Sequence, residues 1–458
     1  MPKRKTPIPV YFTSLEIENV RCYGDRQTLE LTDDSGRPAR WTLVLGENGV
    51  GKTTLLQCLA WMQLVPGGYH PELLWEDDEF LEGLLRKGPS LELTLEAKLS
   101  LGTVLSSTAR SSEDAAEQGK LIGLGVQISF DANRHLSDRI PKNEMDPNAE
   151  FPDPLFVAYG ANRQRGMQNL DNPDLEDAIA PRRLSKLTEL YDLEELLVML
   201  DHNSKAKGEK SREHKQLNRL KEVLVRILPG DNFKAADIEI FPPDVLGSGE
   251  PSGVHLRTFS GLVPLSALSL GYQTTLALAV DLAWRLLKNH PESPDPLTEP
   301  AVVLIDEIDL HLHPLWQLTV VDDLSALFLN TQFIATSHSP LMVQVAETAN
   351  LVLLRQRETD VEIVNDPEVV RSWRVDQILT SELFGVPRAR NKETERLFTR
   401  RAELIDKPSR NAAEETELER LRRQIAKLPT AQDPDDQKAI DYIREAAALL
   451  KKHKVVGQ

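Results

Sequence analysis

Eight residues, Gly46-Glu47-Asn48-Gly49-Val50-Gly51-Lys52-Thr53, constrain this chain more than any other segment. They fit G-x-x-x-x-G-K-[ST], a glycine loop whose backbone amides can wrap a phosphate group. The flanks complete the pattern. Trp41–Leu45 is an apolar run with the length of a strand, and Thr53–Met62 reads as a helix. Strand, glycine loop and helix in that order give an α/β fold with the loop at a strand end. The glycines permit close backbone approach, and the helix adds its positive N-terminus.

Two later segments turn a phosphate site into an ATP site. Val302-Val303-Leu304-Ile305-Asp306-Glu307 is an apolar strand ending in two carboxylates. The binding set expected around the nucleotide is Gly46, Glu47, Asn48, Gly49, Val50, Gly51, Lys52, Thr53 and Thr54. Lys52 should reach the β- and γ-phosphates, and the Thr53 hydroxyl should ligate Mg²⁺. Asp306 should hold the same ion directly or through water, leaving Glu307 to polarise the attacking water. The second segment, Leu268-Ser269-Leu270-Gly271-Tyr272-Gln273, opens a helix. Ser269, Gly271 and Gln273 could merely cap that helix. In this chain order they are expected to face the γ-phosphate held by a second copy, so that two chains sandwich ATP.

Three further positions are candidates. His338 ends the short strand Gln332–Ser337 and could contact the γ-phosphate; the alternative is a histidine that caps the strand. Asp309 follows the carboxylate pair and would lie at a dimer seam, with helix N-capping as a compatible role. In Gly160-Ala161-Asn162-Arg163-Gln164, either Gln164 or Arg163 could touch Mg²⁺ or the attacking water. His311 and His313 are two residues apart and lack a third ligand, so a metal site there is not expected.

Together these motifs resemble the ABC-type ATPase heads of the RecF, SMC and OLD families, over about residues 10–365. Leu15-Glu16-Ile17-Glu18-Asn19-Val20-Arg21-Cys22-Tyr23 is similar to the strand and loop that open such heads. Asp306-Glu307-Ile308-Asp309-Leu310-His311-Leu312-His313-Pro314 is similar to the RecF- and OLD-like version of the carboxylate segment. A narrower resemblance, to ATPases of bacterial anti-phage systems such as Septu, rests on Tyr159–Arg163, the compact 174–228 segment and the run from Val375 to Gly385. It implies an ATPase that controls a separate effector, such as an HNH nuclease. The architecture implied is a P-loop NTPase with a mixed or parallel core sheet, an antiparallel β subdomain, a helical insert and a helical tail. Thr53 and Leu268 lie 215 residues apart with no long heptad run between them, so an SMC-type arm is not expected. Asp433-Pro434-Asp435 matches a TOPRIM D-x-D only formally, because proline opposes a strand there, and no nuclease site is expected.

Composition narrows the partners. The 458 residues carry 71 acidic and 54 basic side chains, a formal net charge of −17 that argues against a uniformly basic nucleic-acid surface. Residues 202–221 are the local exception, with seven Lys and Arg against two Glu. That run is either a contact for duplex DNA or a solvated helix face. Cys22 and Cys58 are the only cysteines, which excludes a disulfide framework. Apolar stretches such as Leu276–Leu287 are interrupted by Asp281 and Arg285, so a membrane span is not expected, and neither is a secretory signal. A cytoplasmic protein follows. The division expected is 1–173 and 233–372 for the two halves of the head, 174–232 for a helical insert and 373–458 for a helical tail. Competing functions are a non-hydrolysing nucleotide sensor, a RecF-type repair ATPase and a transporter subunit. The last is disfavoured by the Leu312-His313-Pro314 continuation.

Overall fold

Strands β1 (Val10–Glu18) and β2 (Gln27–Glu30) open the fold as an antiparallel pair in the computed structural model of this chain. The structure describes residues 9–63, 83–87, 92–101, 120–131, 135–141, 155–168, 188–228, 233–242, 252–259, 261–345, 349–365, 392–407 and 409–425, with a few isolated positions between them. After β3 (Trp41–Leu45) and helix α1 (Lys52–Trp61), β4 (Glu92–Leu101), β5 (Lys120–Phe130) and β6 (Leu136–Pro141) extend the first pair. The result is an antiparallel sheet in the order β2-β1-β4-β5-β6. Its alternation is legible in β4, where Leu93, Leu95, Ala97 and Leu99 are buried while Glu92 and Lys98 are exposed. One apolar face against the core and one wet face is the arrangement that antiparallel strands allow.

Next along the chain come β7 (Leu155–Tyr159), β8 (Arg163–Gln168) and β9 (Thr188–Tyr191). Within the segment 174–232 expected to be helical, Thr188–Tyr191 is instead a strand, β9, paired in parallel with β8. Tertiary partners fix it: Leu190 is fully buried, and the Tyr191 amide donates to the carboxylate of Asp281 at 3.2 Å. Helices α2 (Leu193–Lys207) and α3 (Arg212–Ile227) then form, broken by Gly208 at φ +87°. Asp192 and Ser211 cap them by accepting the amides of Glu195 and His214. Leu217, Leu220, Leu224 and Ile227 give α3 its buried face, as their three- and four-residue spacing requires.

Strands β10 (Ile238–Phe241), β11 (Gly253–Thr258) and β12 (Gly261–Pro264) make a small antiparallel sheet. The sequence predicts strands near 236–241 and 254–260, where β10 and β11 fall, whereas β12 is too short to carry an alternation signal. Helix α4 (Leu270–Asn289) leads to β13 (Ala301–Ile305), the short helices α5 (Pro314–Gln317) and α6 (Val320–Leu327), and β14 (Thr331–Ser337). Helix α7 (Pro340–Val345) and strands β15 (Asn350–Gln356) and β16 (Val361–Asn365) complete the larger unit, Met1–Ile378.

The central sheet runs β16-β15-β3-β14-β13-β7 and is parallel except for β16. Every residue of β3, β13 and β14 is buried, which explains their mainly apolar or small residues: parallel strands are covered on both faces, and the one long polar side chain, Gln332, is paired with the Phe12 backbone. The C-terminal ends of β3, β14, β13 and β7 therefore lie side by side. In such sheets that edge is where ligands bind.

The second unit, Leu379–Gln458, contains α8 (Lys392–Ile405) and α9 (Ala412–Ile425) as a helix pair. The tail stripe of Leu418, Leu421, Ile425 and Leu428 could be expected to dock on the head or on a partner. Within the unit, Leu418 and Leu421 pack against Leu404 and Ile405 of the preceding helix. Leu428 and the Pro429–Pro434 break lie outside the described residues.

Candidate nucleotide site

Gly46, Gly49 and Gly51 all take positive φ (153°, 83° and 90°), so the loop after β3 uses glycine for conformation as well as for access. A residue pair behind it also demands glycine. A β-carbon on Gly51 would lie 2.4 Å from Cys22 Sγ and 2.9 Å from Tyr23 Oη. Tyr23 Oη donates to the Gly51 carbonyl at 3.0 Å and lies 3.4 Å from that of Val50. Sequence reasoning gave Cys22 and Tyr23 no role; their contact with the loop is a consequence of the β1–β2 turn folding over it.

The first helical residues carry the polar machinery. Lys52 is buried, and its Nζ donates to the carbonyls of Gly46 and Glu47 at 2.8 Å each. Burial lowers its pKa, opposed by the nearby carboxylates of Asp306, Glu307 and Asp309. Thr53 Oγ1 donates to Asp306 Oδ2 at 2.7 Å, and Thr336 Oγ1, on β14, donates to Asp306 Oδ1 at 2.6 Å. Thr54 is turned away from this centre, its hydroxyl accepting from Arg21 at 3.3 Å.

Glu307 follows β13 in the left-handed region at φ +49°. Bonds from β14 and from Arg163 help hold its backbone there. Its amide donates to Thr336 Oγ1 at 2.8 Å, and Arg163 Nη2 donates to the carbonyls of Asp306 at 3.0 Å and Glu307 at 2.7 Å. The polar residue that β7 delivers to the carboxylates is thus Arg163. Gln164 begins the β8–β9 pairing opposite Glu189, and the position of its side chain lies outside the description. Burial lowers the Arg163 pKa, against the pull of Asp306, Glu307 and Asp309.

His338, just beyond β14, places Nδ1 3.4 Å from Asp309 Oδ2. Asp309 Oδ1 is buried and has no hydrogen-bond partner among the described residues. Asp309 does not cap a helix, since α5 begins only at Pro314, where His313 Nδ1 accepts the Leu315 amide at 3.3 Å. Lys52, Thr53, Asp306, Glu307, Asp309 and His338 are thereby joined at one sheet edge, with Arg163 added.

Ser269, Gly271 and Gln273 lie at the start of α4. Ser269 is the N-cap residue of α4 but makes no side-chain capping bond. Gln273 Nε2 donates to the carbonyls of Ser266 and Leu268, closing the turn into the helix. Beside the phosphate loop, a cavity of about 550 Å³ is lined by Asn48, Gly49 and Val50 together with Arg21, Arg86 and Arg357. This basic cleft combines distant segments and has no motif of its own. The cationic run 202–221 is mostly engaged within the chain. Lys205 pairs with Asp201, Lys207 with Glu213 and Arg219 with Asp295, while Arg212 and Lys221 donate to carbonyls.

A divalent cation fits the donor set. Thr53 Oγ1 and Asp306 Oδ2 are hard oxygens at hydrogen-bond distance beside the phosphate loop. Mg²⁺ commonly takes only one or two protein ligands and completes its shell with phosphate and water. Among the described residues no helix is long and apolar enough to cross a membrane.

The chain is similar to several known proteins. Residues 42–343 match the family described as AAA domain, putative AbiEii toxin, Type IV TA system. The Septu protein PtuA of Bacillus mycoides is 25% identical over 440 residues, covering 94% of this chain and 53% of that protein. The Retron Ec83 probable ATPase of Escherichia coli is 35% identical over 202 residues, 44% of this chain and 35% of that one. The chain thus spans about half the length of the first relative and about a third of the second. An SMC head bound to the C-terminal winged-helix domain of ScpA aligns with a TM-score of 0.40 at 16% identity, covering 77% of this chain and 97% of that one. The match over 42–343, the phosphate loop and the order of the central sheet place this chain in the AAA-domain, AbiEii-toxin-like family, as an ABC-type P-loop ATPase related to those of Septu and retron anti-phage systems.

Proposed function

We propose that this chain binds and hydrolyses ATP with Mg²⁺, closes as an ATP-sandwich dimer, and controls a separate effector in antiviral defence. The observation that carries the reading is the bond between Thr53 Oγ1 and Asp306 Oδ2, which joins two motifs 253 residues apart. A bound Mg²⁺ would neutralise charge on the transferring phosphoryl group.

The chain's own residues account for the remaining work. Lys52 swings from the loop carbonyls to the β- and γ-phosphates, and the loop amides hold the phosphate oxygens. Glu307 orients the attacking water and accepts its proton, from a backbone already fixed by Thr336 and Arg163. His338, held by Asp309, faces the γ-phosphate. Ser269 and Gly271 at the start of α4 serve the nucleotide of the opposing chain. A donor supplied in trans is worth about 10³–10⁵ in rate in related phosphoryl-transfer systems.

The effector is proposed to be a nuclease encoded separately, on the resemblance to PtuA. Steady-state phosphate release from wild type and Glu307→Gln, with Mg²⁺, DNA and the effector present, tests hydrolysis. Wild-type turnover well above that of the variant is expected. Equal rates would leave a nucleotide-binding scaffold instead.

A further inference from the structure

Gly271 is buried on the first turn of α4, against the loop that follows β13. A β-carbon there would lie 2.1 Å from the His311 carbonyl oxygen and 3.1 Å from its carbonyl carbon. These are main-chain atoms, so the overlap cannot be relieved by a side-chain rotation. Gly271 lies in helix and does not need glycine for its own φ; the close approach of the His311 carbonyl is what requires it.

The loop on the other side of this contact has little slack. His311 is itself left-handed, at φ +64°, as Glu307 is at φ +49°. The Leu310 amide donates to the Glu307 carbonyl at 3.0 Å, and the Leu312 amide donates to that of Asp309 at 3.1 Å. Gln317 Nε2 then donates to the Leu312 carbonyl at 3.1 Å. These overlapping turns connect the His311 carbonyl to the Glu307 carbonyl, where Arg163 holds the far end. Beside the glycine, the Tyr272 ring meets Trp316 edge-on, with centroids 3.6 Å apart, and seats α4 on α5.

We propose that Gly271 is a positioning residue for Glu307 of its own chain, in addition to any part it plays at the opposing chain's nucleotide. The inference rests on the ATPase reading above. Its consequence is a link between two sites. When the start of α4 is pressed by the opposing chain's nucleotide, the displacement reaches the same chain's catalytic carboxylate through the His311 carbonyl.

Two measurements test it, one independent of hydrolysis. In nucleotide-free Gly271→Ala, amide exchange over residues 306–313 should accelerate by about tenfold or more, while β13 and β14 exchange as in wild type. The second uses mixed dimers. A Glu307→Gln chain paired with a Gly271→Ala chain leaves one hydrolytic site. That site has the Gly271→Ala chain's own phosphate loop and Glu307, opposite an intact Ser269 and Gly271.

A role within the chain lowers turnover at that site about 10²-fold below that of Glu307→Gln paired with wild type, the scale of a 1 Å misplacement. Turnover equal to that control, or unchanged exchange over 306–313, overturns the proposal. An inactive control mixture would instead refute the shared-site ATPase reading, and the exchange result alone would then decide. Should Gly271→Ala not fold, Tyr272→Leu, which loosens the same seat from outside the contact, replaces it with the same two readings.

Discussion

Replacing Arg163 with methionine isolates one element of the site, the clamp on the Glu307 backbone. Two charge-assisted bonds are lost, to the carbonyls of Asp306 and Glu307 at 3.0 and 2.7 Å. A hydrogen bond to a charged group contributes about 1.5–3 kcal/mol. The left-handed conformation of a non-glycine residue costs about 1–2 kcal/mol, so each bond is comparable to the strain at Glu307. With both gone, the Thr336 hydroxyl, the Leu310 turn and the bond from the Ile308 amide to the Thr336 carbonyl still oppose relaxation. The carboxylate then samples positions on the order of 1 Å from its place, which costs about 10²-fold in turnover. ATP binding depends on the glycine loop and Lys52, which Arg163 does not touch. Steady-state phosphate release against ATP concentration should therefore show kcat reduced about 100-fold with KM changed less than about threefold. Arg163→Lys, with one ammonium in place of a fork, should recover only part of kcat. A variant with wild-type kcat, or one whose whole defect is in KM, would refute the clamp.

Other outcomes follow from the same contacts. Glu307→Gln should accumulate an ATP-bound dimer and Ser269→Arg should abolish it; light scattering giving one mass for both variants, with and without ATP, contradicts the shared site. Gly51→Ala, with a β-carbon 2.4 Å from Cys22 Sγ at φ +90°, should lose ATP binding in a fluorescent-nucleotide titration while keeping its secondary structure. Asp281→Ala removes a fully buried carboxylate that accepts from Tyr159 Oη, the Tyr191 amide and Arg285. It removes the carboxylate paired with the Arg285 guanidinium and should lower unfolding free energy by about 3–5 kcal/mol in urea titration. A midpoint within error of wild type would show that the network is not structural.

Much of the fold was legible because its signals are local. Trp41–Leu45 is a strand at the expected boundaries, since a parallel strand buried on both faces is a continuous apolar run bounded by turn residues. The phosphate loop was legible for a similar reason: its conformation is written in glycines. Strand β9 was not, because four residues between helical segments carry no period of their own and are held by Asp281, ninety residues away. Arg163 and Gln164 were equivalent in sequence. Only the pairing of Ile305 with Tyr159 brings Arg163 beside the carboxylates.

The sequence by itself determined the class of chemistry. Lys52, Thr53, Asp306 and Glu307 announce a nucleotide site through residue type and spacing alone, since backbone wrapping and metal ligation depend on short-range geometry. Tertiary structure alone decided how that chemistry is held in place. Thr336 under Asp306, Arg163 over Glu307, Cys22 and Tyr23 behind Gly51, and the His311 carbonyl against Gly271 are contacts between segments tens to hundreds of residues apart. No local pattern encodes them, because each depends on which strand ends lie side by side and how closely two backbones can approach once the sheet has formed.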